Sequence, residues 1–331
     1  MLRNTCCAHR FFKLPALVLL GMALLLGTVA IGLAQSPNRP RVVAATDRDC
    51  RPSAEASPGE SRRSVEIDGV RREYLLYVPK GYSGNPAPLV LNMHGGGGRA
   101  EIQRDLTKFN DAADKYGFLV AYPEGTRMLI GRGRTWNSGD CCGRAARRDV
   151  DDVAFLSGVI ADVERDYCVD SRRIYATGLS NGAMMAYRLA CELPDRIAAI
   201  ATVGGTMQID SCRPARPVSV MHLHGTADDR VPYEGGRNLF GEFTSVSETI
   251  EFWRTSNLCP KRPQITLKRG TVTCRSYLPC VAGTEVVLCT IEGAGHNWPG
   301  AVHVRQRGKV TDDISATEEI SNFFLRHQLT E

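Results

Sequence analysis

The chain has 331 residues, of which 43% are hydrophobic, and a formal net charge of +5 at pH 7. This length suffices for one large α/β domain with a substantial buried core. Three of the positive charges lie in residues 1–34 and a net two lie in residues 35–64, so residues 65–331 carry a net charge of zero. A neutral domain lacks the basic surface of a nucleic-acid-binding protein, and the sequence therefore argues against that class.

Residues 1–34 have the pattern of a secretory signal peptide. Basic residues precede an uncharged run from Leu14 to Ala34, and Gly32-Leu33-Ala34 fits a small-residue cleavage site. We therefore predict cleavage near Ala34, export to the extracellular space or periplasm, and no stable membrane association afterwards. The alternative is an uncleaved anchor, since a run of about 20 apolar residues can span a bilayer.

Residues 35–64 are rich in Pro, Ser and Arg and show no apolar periodicity. This composition predicts a flexible linker, with the folded domain at 65–331. Cys50 lies in the linker and either joins it to the domain or pairs between chains. The sequence leaves that choice and the oligomeric state open.

Strands and helices are predicted to alternate through the domain. A hairpin at 64–78 turns at Asp68-Gly69. The other predicted strands are 88–93, 117–122, 173–177, 217–223 and 285–291, with helices at 105–116 and 151–167 between them. This order predicts a mostly parallel sheet covered by helices on both faces, with ligands beyond the carboxyl ends of the strands.

A glycine-rich segment, His94-Gly95-Gly96-Gly97-Gly98, directly follows the predicted strand 88–93. Such a bend can turn backbone N–H groups towards a developing oxyanion, and we expect Gly96 to supply one of them. A phosphate-binding loop is disfavoured because no Gly-Lys-Ser/Thr follows. For His94 itself a structural role is favoured over contact with a substrate.

Ser180 lies in the segment Gly178-Leu179-Ser180-Asn181-Gly182, between a predicted strand and a predicted helix. Gly-x-Ser-x-Gly in that context is typical of a nucleophile elbow, in which a strained turn exposes the serine hydroxyl. The backbone N–H of Asn181 would then be the second oxyanion donor.

Two further loops follow predicted strands and carry an acid and a histidine. Asp228 and Asp229 follow strand 217–223, and His296 lies among glycines after strand 285–291. Asp228 is the preferred acid and Asp229 the alternative. The chain order Ser180, Asp228, His296 is that of the triad in α/β-hydrolases, with His296 as general base.

Ten cysteines follow the predicted signal peptide, an even number in a chain predicted to be exported. Disulfides are therefore expected, and a metal site is disfavoured because no pair has Cys-x-x-Cys spacing. The candidate pairs are Cys274 with Cys289, Cys259 with Cys280, and Cys191 with Cys212. Sequence alone does not fix the connectivity. His222 and His224 also lack further ligands at metal-binding spacing, so we interpret them as packing and supporting groups.

Five blocks together resemble the secreted polyhydroxybutyrate depolymerase-like and feruloyl esterase-like group of α/β-hydrolases. They are Thr135–Gly143, Asp151–Phe155, Tyr175–Cys191, His224–Tyr233 and Gly295–Gly300, and the similarity extends over about 65–327. The resemblance implies the α/β-hydrolase fold, serine-esterase activity without a cofactor, and Ser180, Asp228 and His296 as nucleophile, acid and base.

The sequence therefore predicts a secreted serine esterase acting on feruloyl or acetyl esters of plant polysaccharide such as xylan. Polyhydroxybutyrate or its oligomers are the alternative substrate. Trp136 and Trp298 adjoin the predicted site and are either walls for an aromatic acyl group or ordinary packing. Two other hypotheses are a prolyl-oligopeptidase-like peptidase, disfavoured because no propeller-sized region precedes the domain, and an inactive wall-associated binding protein, disfavoured by the intact triad.

Overall fold

The computed structural model describes residues 50–53, 56–301 and 308–330. The predicted signal peptide and most of the predicted linker lie outside the described residues. The first strand begins at Gly59, so the linker prediction was wrong for 59–64, which pair with the second strand instead. Residues 59–64 read Gly-Glu-Ser-Arg-Arg-Ser and therefore show no apolar pattern, although the backbone is extended.

The described residues contain fourteen strands and seven α-helices. The strands are β1 (Gly59–Ile67), β2 (Val70–Val78), β3 (Ala87–Met93), β4 (Leu119–Pro123), β5 (Thr126–Arg127), β6 (Arg134–Thr135), β7 (Val169–Leu179), β8 (Ala199–Val203), β9 (Ser219–Gly225), β10 (Gly236–Asn238), β11 (Gly241–Phe243), β12 (Gln264–Arg269), β13 (Val272–Tyr277) and β14 (Val286–Ile291). The helices are α1 (Ala100–Thr107), α2 (Phe109–Tyr116), α3 (Gly143–Arg147), α4 (Asp152–Asp166), α5 (Asn181–Glu192), α6 (Val246–Ser256) and α7 (Ala316–Leu325).

Ten of these strands form one sheet in the order β1-β2-β4-β3-β7-β8-β9-β14-β13-β12. The six central strands, β4 to β14 in this order, are parallel, and the two outer strands on each side are antiparallel. All six central strands therefore end at one edge, where the loops after β3, β7, β9 and β14 meet. The predicted α/β-hydrolase architecture is confirmed.

Helices cover both faces of the sheet. One buried cluster joins the sheet to α4, α5 and α6, and a second joins its other face to α1, α2 and α7. Because both faces are covered, β3, β4, β8 and β9 are buried along their whole length, which is why their sequences are nearly continuous apolar runs. None of the described helices is long and apolar enough to cross a membrane.

The helix predicted at 105–116 is two helices. Lys108 adopts a left-handed conformation, with φ of 53°, and ends α1 immediately before α2 begins at Phe109. The prediction missed this break because a lysine gives no local signal for positive φ, which is normally the role of glycine or asparagine.

Five pairs of cysteines are joined in the structure. They include the three candidate pairs, Cys191–Cys212, Cys259–Cys280 and Cys274–Cys289. Cys50 pairs with Cys168, immediately before β7, so it joins the N-terminal segment to the domain. The neighbouring residues Cys141 and Cys142, which the sequence analysis left unassigned, are joined as well.

Candidate active site

Ser180 lies at the tight turn between β7 and α5. Its φ and ψ of 57° and −122° fall in a region that non-glycine residues rarely adopt, as expected of a strained nucleophile elbow. The Ser180 N–H donates to the carbonyl of Val203 at 2.9 Å, which holds the turn against β8. A Cβ atom at Gly178 or Gly182 would collide with the carbonyl oxygen of Met93, so both glycines are required for the close approach of β3.

Asp228 and His296 meet beyond the ends of β9 and β14. His296 Nδ1 lies 2.7 Å from Asp228 Oδ2, and the Asp228 side chain is 1% exposed. The other carboxylate oxygen, Oδ1, accepts the N–H groups of Arg230 and Val231 at 2.8 and 2.9 Å. Asp229 is exposed and lies 4.0 Å from the Arg230 guanidinium, so the structure favours Asp228 as the acid partner.

Electrostatics keep Asp228 ionised. Burial alone would raise its pKa, but the hydrogen bonds from His224 and His296 outweigh burial and lower the pKa to about 2. The carboxylate thus fixes the His296 ring with Nδ1–H facing Asp228. Nε2 is then the nitrogen free to accept a proton.

Gly204, directly after β8, helps to position His296 together with Asp228. A Cβ atom at Gly204 would lie 3.3 Å from His296 Nδ1 and 3.4 Å from Asp228 Oδ2, so a side chain there would press against this pair. Gly204 has φ of 56°, a second reason for glycine there. No hydrogen bond joins the Ser180 hydroxyl to His296 within the described part of the chain. That contact is often long in unliganded hydrolases and shortens when substrate binds.

The two predicted oxyanion donors adjoin each other and have no acceptor among the described residues. Among the described residues, the N–H groups of Gly96 and Asn181 donate to no protein atom, whereas those of Gly97 and Gly98 donate to the carbonyls of Arg134 and Gly95. A Cβ at Gly96 would lie 3.7 Å from Asn181 Cβ, so the two backbones adjoin. This leaves two neighbouring donors for a developing negative charge.

His94 supports the glycine loop from inside the protein. It is 1% exposed, its Nε2 accepts the Gly125 N–H at 3.0 Å, and its Nδ1 lies 2.8 Å from the Gly95 carbonyl. Burial lowers its pKa to about 4, so the imidazole is neutral at pH 7 and donates from Nδ1. His94 is also a sequence-based candidate for the substrate pocket; it lines the pocket described below, although little of its side chain is exposed, and a contact with substrate stays a prediction.

The two tryptophans proposed as substrate walls are buried. Trp136 is 0% exposed, and its indole N–H donates to the His94 carbonyl at 2.9 Å. Its backbone N–H donates to the Asn181 side chain at 2.7 Å, so Trp136 links the oxyanion loop to the nucleophile helix. Trp298 is 2% exposed, and its indole N–H donates to Thr317. Trp298 nevertheless lines the pocket beside His296 described below, so a part in the substrate wall stays a prediction for it. Trp136 is not among the residues that line this pocket and packs in the interior, the other alternative left open by the sequence.

A buried chain of hydrogen bonds leads away from Asp228. His224 Nε2 lies 2.8 Å from the Val231 carbonyl and 3.4 Å from Asp228, and its Nδ1 lies 3.0 Å from His222 Nε2. His222 Nδ1 in turn lies 2.7 Å from the Tyr187 hydroxyl. Burial lowers the pKa of His222 well below its usual value, which makes it a neutral link. The two histidines support the acid loop, in keeping with their interpretation from sequence.

A pocket of about 170 Å³ opens beside the donors and His296. Its polar side is formed by Gly95, Gly96 and His296, and its apolar side includes Ile102, Leu106 and Leu179. The sequence analysis missed Ile102 and Leu106 because α1 carries no motif; only the position of α1 after the glycine loop places them here. A cavity of about 150 Å³ can hold a benzene ring, so this pocket has room for one ring or a short aliphatic chain.

Comparison with known proteins identifies the family. A family model described as "Esterase PHB depolymerase" matches residues 72–232. A protein of Nocardia uniformis subsp. tsuyamanensis named as an esterase, NocK, is 33% identical over 294 residues, covering 81% of this chain and 82% of the relative. Feruloyl esterase B of Piromyces equi is 33% identical over 238 residues, covering 68% of this chain but only 42% of the relative. The chain therefore spans less than half of the Piromyces enzyme.

A solved structure supports the fold. An acetyl xylan esterase from Aspergillus awamori matches with a TM-score of 0.55 and 15% identity, over 80% of this chain and 98% of that chain. The similarity to the Nocardia protein covers about four fifths of both chains, and the family model matches across the elbow. The chain belongs to the polyhydroxybutyrate depolymerase-like and feruloyl esterase-like family of α/β-hydrolases.

Proposed function

We propose that this protein is a serine carboxylic ester hydrolase that works through an acyl-enzyme. The observation that carries the proposal is the strained Ser180 elbow at the same sheet edge as the buried Asp228–His296 pair, whose Nδ1–Oδ2 distance is 2.7 Å. A serine hydroxyl is a weak nucleophile until an adjacent imidazole can take its proton, and a buried carboxylate orients that imidazole.

In the proposed reaction, Ser180 Oγ attacks the ester carbonyl carbon while His296 Nε2 takes the hydroxyl proton. The N–H groups of Gly96 and Asn181 stabilise the negative oxygen of the tetrahedral intermediate. The intermediate collapses, the bond to the leaving oxygen breaks, and the imidazolium gives its proton to that oxygen, which releases the alcohol. Water then attacks the acyl-enzyme, with His296 again as base, and the carboxylic acid leaves.

We propose feruloyl or acetyl esters on plant polysaccharide, or on its fragments, as the substrate. The 33% identity to a feruloyl esterase and a pocket with room for one ring support this class. Hydroxybutyrate esters are the second candidate, favoured by the match to the polyhydroxybutyrate depolymerase family model. The five joined cysteine pairs support export, since disulfides persist in oxidising compartments.

The test is hydrolysis of methyl ferulate, p-nitrophenyl acetate and a hydroxybutyrate oligomer by the purified protein, beside Ser180→Ala. We expect the parent to hydrolyse methyl ferulate. Its rate of turnover should fall at least about 10³-fold in the variant. Turnover of the oligomer alone would transfer the assignment to hydroxybutyrate esters. Absence of Ser180-dependent turnover with all three would contradict the esterase proposal, and a correctly folded protein by circular dichroism would exclude misfolding as the reason.

A further inference from the structure

Positive charge is concentrated in one short segment beside the active site. Residues 126–148 contain six arginines and one aspartate, a net charge of +5, although residues 65–331 together carry none. The remainder of the domain therefore has a net charge of −5. The segment comprises the β5–β6 hairpin and α3, which pack together: Arg144 donates to the carbonyl of Arg127 at 3.4 Å.

Most of these arginines lack an acidic partner. Arg134 pairs with Glu124, but none of the other five forms an ion pair with any described residue; these are Arg127, Arg132, Arg144, Arg147 and Arg148. The acids nearby are Asp140, which is exposed, and Asp149, which accepts a hydrogen bond from Asn137. Four of the five unpaired arginines, all except Arg144, are exposed, so the surface is a cationic patch without internal compensation.

The apex of the same hairpin is apolar and exposed. The Met128 N–H donates to the carbonyl of Gly133 at 2.9 Å and closes a tight loop. At its apex Leu129 and Ile130 are 72% and 89% exposed. Exposure of consecutive large apolar side chains to water is energetically unfavourable. In natural proteins such side chains commonly mark an interaction surface.

A second hairpin repeats the exposed apolar apex but not the excess of positive charge. Leu239 and Phe240, at the turn between β10 and β11, are 98% and 51% exposed. The Arg230 guanidinium lies 3.9 Å from the centre of the Phe240 ring, and Arg237 is also exposed on this hairpin, where it pairs with Glu242.

The two hairpins lie on either side of the nucleophile. The β5–β6 hairpin follows the carboxyl end of β4 and the β10–β11 hairpin follows that of β9, whereas Ser180 follows β7, between them in the sheet. Cys141, after β6, and Phe243, in β11, belong to one small buried cluster with Met184, one helical turn beyond Ser180. The hairpins are therefore connected through packed side chains at the edge where the active site opens.

We propose that these two hairpins form a peripheral docking surface for the headgroup region of a membrane that contains anionic lipid. The apolar apices would enter the interface between headgroups and acyl chains, and the arginines would bind lipid phosphates. A soluble acidic polysaccharide would satisfy the arginines but leave the four apical apolar side chains in water. An uncharged polyester surface would cover the apices but give the arginines no counter-charge. Such docking is reversible and sensitive to salt, and differs from the stable membrane association that the sequence argued against.

The test is co-sedimentation with vesicles of phosphatidylglycerol and phosphatidylcholine, compared with phosphatidylcholine alone. Ser180→Ala protein is used, so that the result does not depend on hydrolysis or on the proposed function. We expect binding to the anionic vesicles that weakens as salt is raised. Leu129→Ser with Ile130→Ser should reduce affinity at least about tenfold. Arg147→Gln with Arg148→Gln should reduce it about 25-fold, since each arginine near an anionic surface contributes about fivefold.

A matched control removes equally exposed apolar side chains from the opposite edge of the sheet. Leu258 and Ile265 are 73% and 62% exposed there, and Leu258→Ser with Ile265→Ser should bind vesicles like the parent. Circular dichroism of each variant reports correct folding without relying on the proposed activity. The proposal is overturned if the parent does not co-sediment with anionic vesicles, or if the apical and control variants bind these vesicles equally. It is also overturned if polygalacturonate binds in a way that needs Arg147 and Arg148 but not Leu129 and Ile130.

Discussion

His94 offers a quantitative test of the buried support beneath the oxyanion loop. In the folded protein its pKa is about 4, because burial disfavours the charged ring, whereas an unfolded chain has a histidine pKa of about 6.5. As pH falls below about 6.5 the unfolded state binds a proton that the folded state does not. Stability therefore declines with falling pH until about pH 4, where both states are protonated.

The size of the effect follows from the two pKa values. Where only the unfolded state is protonated, the free energy of unfolding falls by about 1.4 kcal/mol per pH unit. Between pH 7 and pH 4.5 the difference in proton binding therefore lowers the free energy of unfolding by about 2.5 kcal/mol. The side chain is fully buried, so solvent does not reduce this value appreciably. His94→Gln keeps a side chain that can accept the Gly125 N–H but has no titratable group, and this contribution should disappear.

The assay is urea unfolding of the parent and His94→Gln at pH 7.0, 6.0, 5.2 and 4.5. Other titrating groups are common to both proteins, so the difference between the two curves isolates His94. The parent should lose about 2.5 kcal/mol more than the variant over this range. Parallel curves would refute the reasoning, because they would mean that the imidazole is protonated equally easily in both states. A variant less stable at pH 7 by about 1 kcal/mol would only report the altered hydrogen bonds.

Two further predictions concern the acid and the cross-links. Asp228→Asn should lower kcat at pH 7 about 10⁴-fold with little change in KM, because an amide cannot stabilise the imidazolium; steady-state kinetics measure this, and a loss below tenfold would remove Asp228 from the triad. Replacing Cys50 and Cys168 by serine should cost about 4–5 kcal/mol in urea unfolding, since 118 residues separate them, against about 3 kcal/mol for Cys274 and Cys289, which 15 residues separate. Equal losses would show that loop entropy does not govern these cross-links.

The sequence predicted the parts of the site that are encoded by short-range patterns. Ser180 was predicted as the nucleophile because glycines two residues before and after it, between a strand and a helix, are a local requirement of the elbow. Asp228 and His296 were predicted from chain order, since strands that end at one edge bring distant loops together. The preference for Asp228 over Asp229 was weaker, because the sequence does not show which of two adjacent side chains points inward. In the structure Asp228 is buried and Asp229 is exposed.

Other features depend on tertiary packing and left no local signal. Strand β8 (Ala199–Val203) was missed because a run of only five small or branched residues fits a buried helix segment as well as a strand. For Trp136 the sequence left a substrate wall and ordinary packing open, because its place beside the site does not give the direction of the ring; in the structure its indole and backbone N–H groups both donate to interior acceptors. The three candidate cysteine pairs were identified, but the partner of Cys50 required three-dimensional proximity across 118 residues.

The buried hydrogen bonds explain why so many residues outside the triad belong to the site. The oxyanion loop is fixed from below by His94, the nucleophile helix is joined to it through Trp136 and the Asn181 side chain, and the acid loop rests on His224. Each of these groups is buried and polar, so loss of one partner leaves another unsatisfied and costs about 1–3 kcal/mol. A rigid set of donors that does not reorganise as charge develops is what transition-state stabilisation requires. The exposed apices of the surface hairpins do not take part in these buried hydrogen bonds. Their sequence can therefore carry arginines and apolar side chains for an interaction outside the catalytic centre.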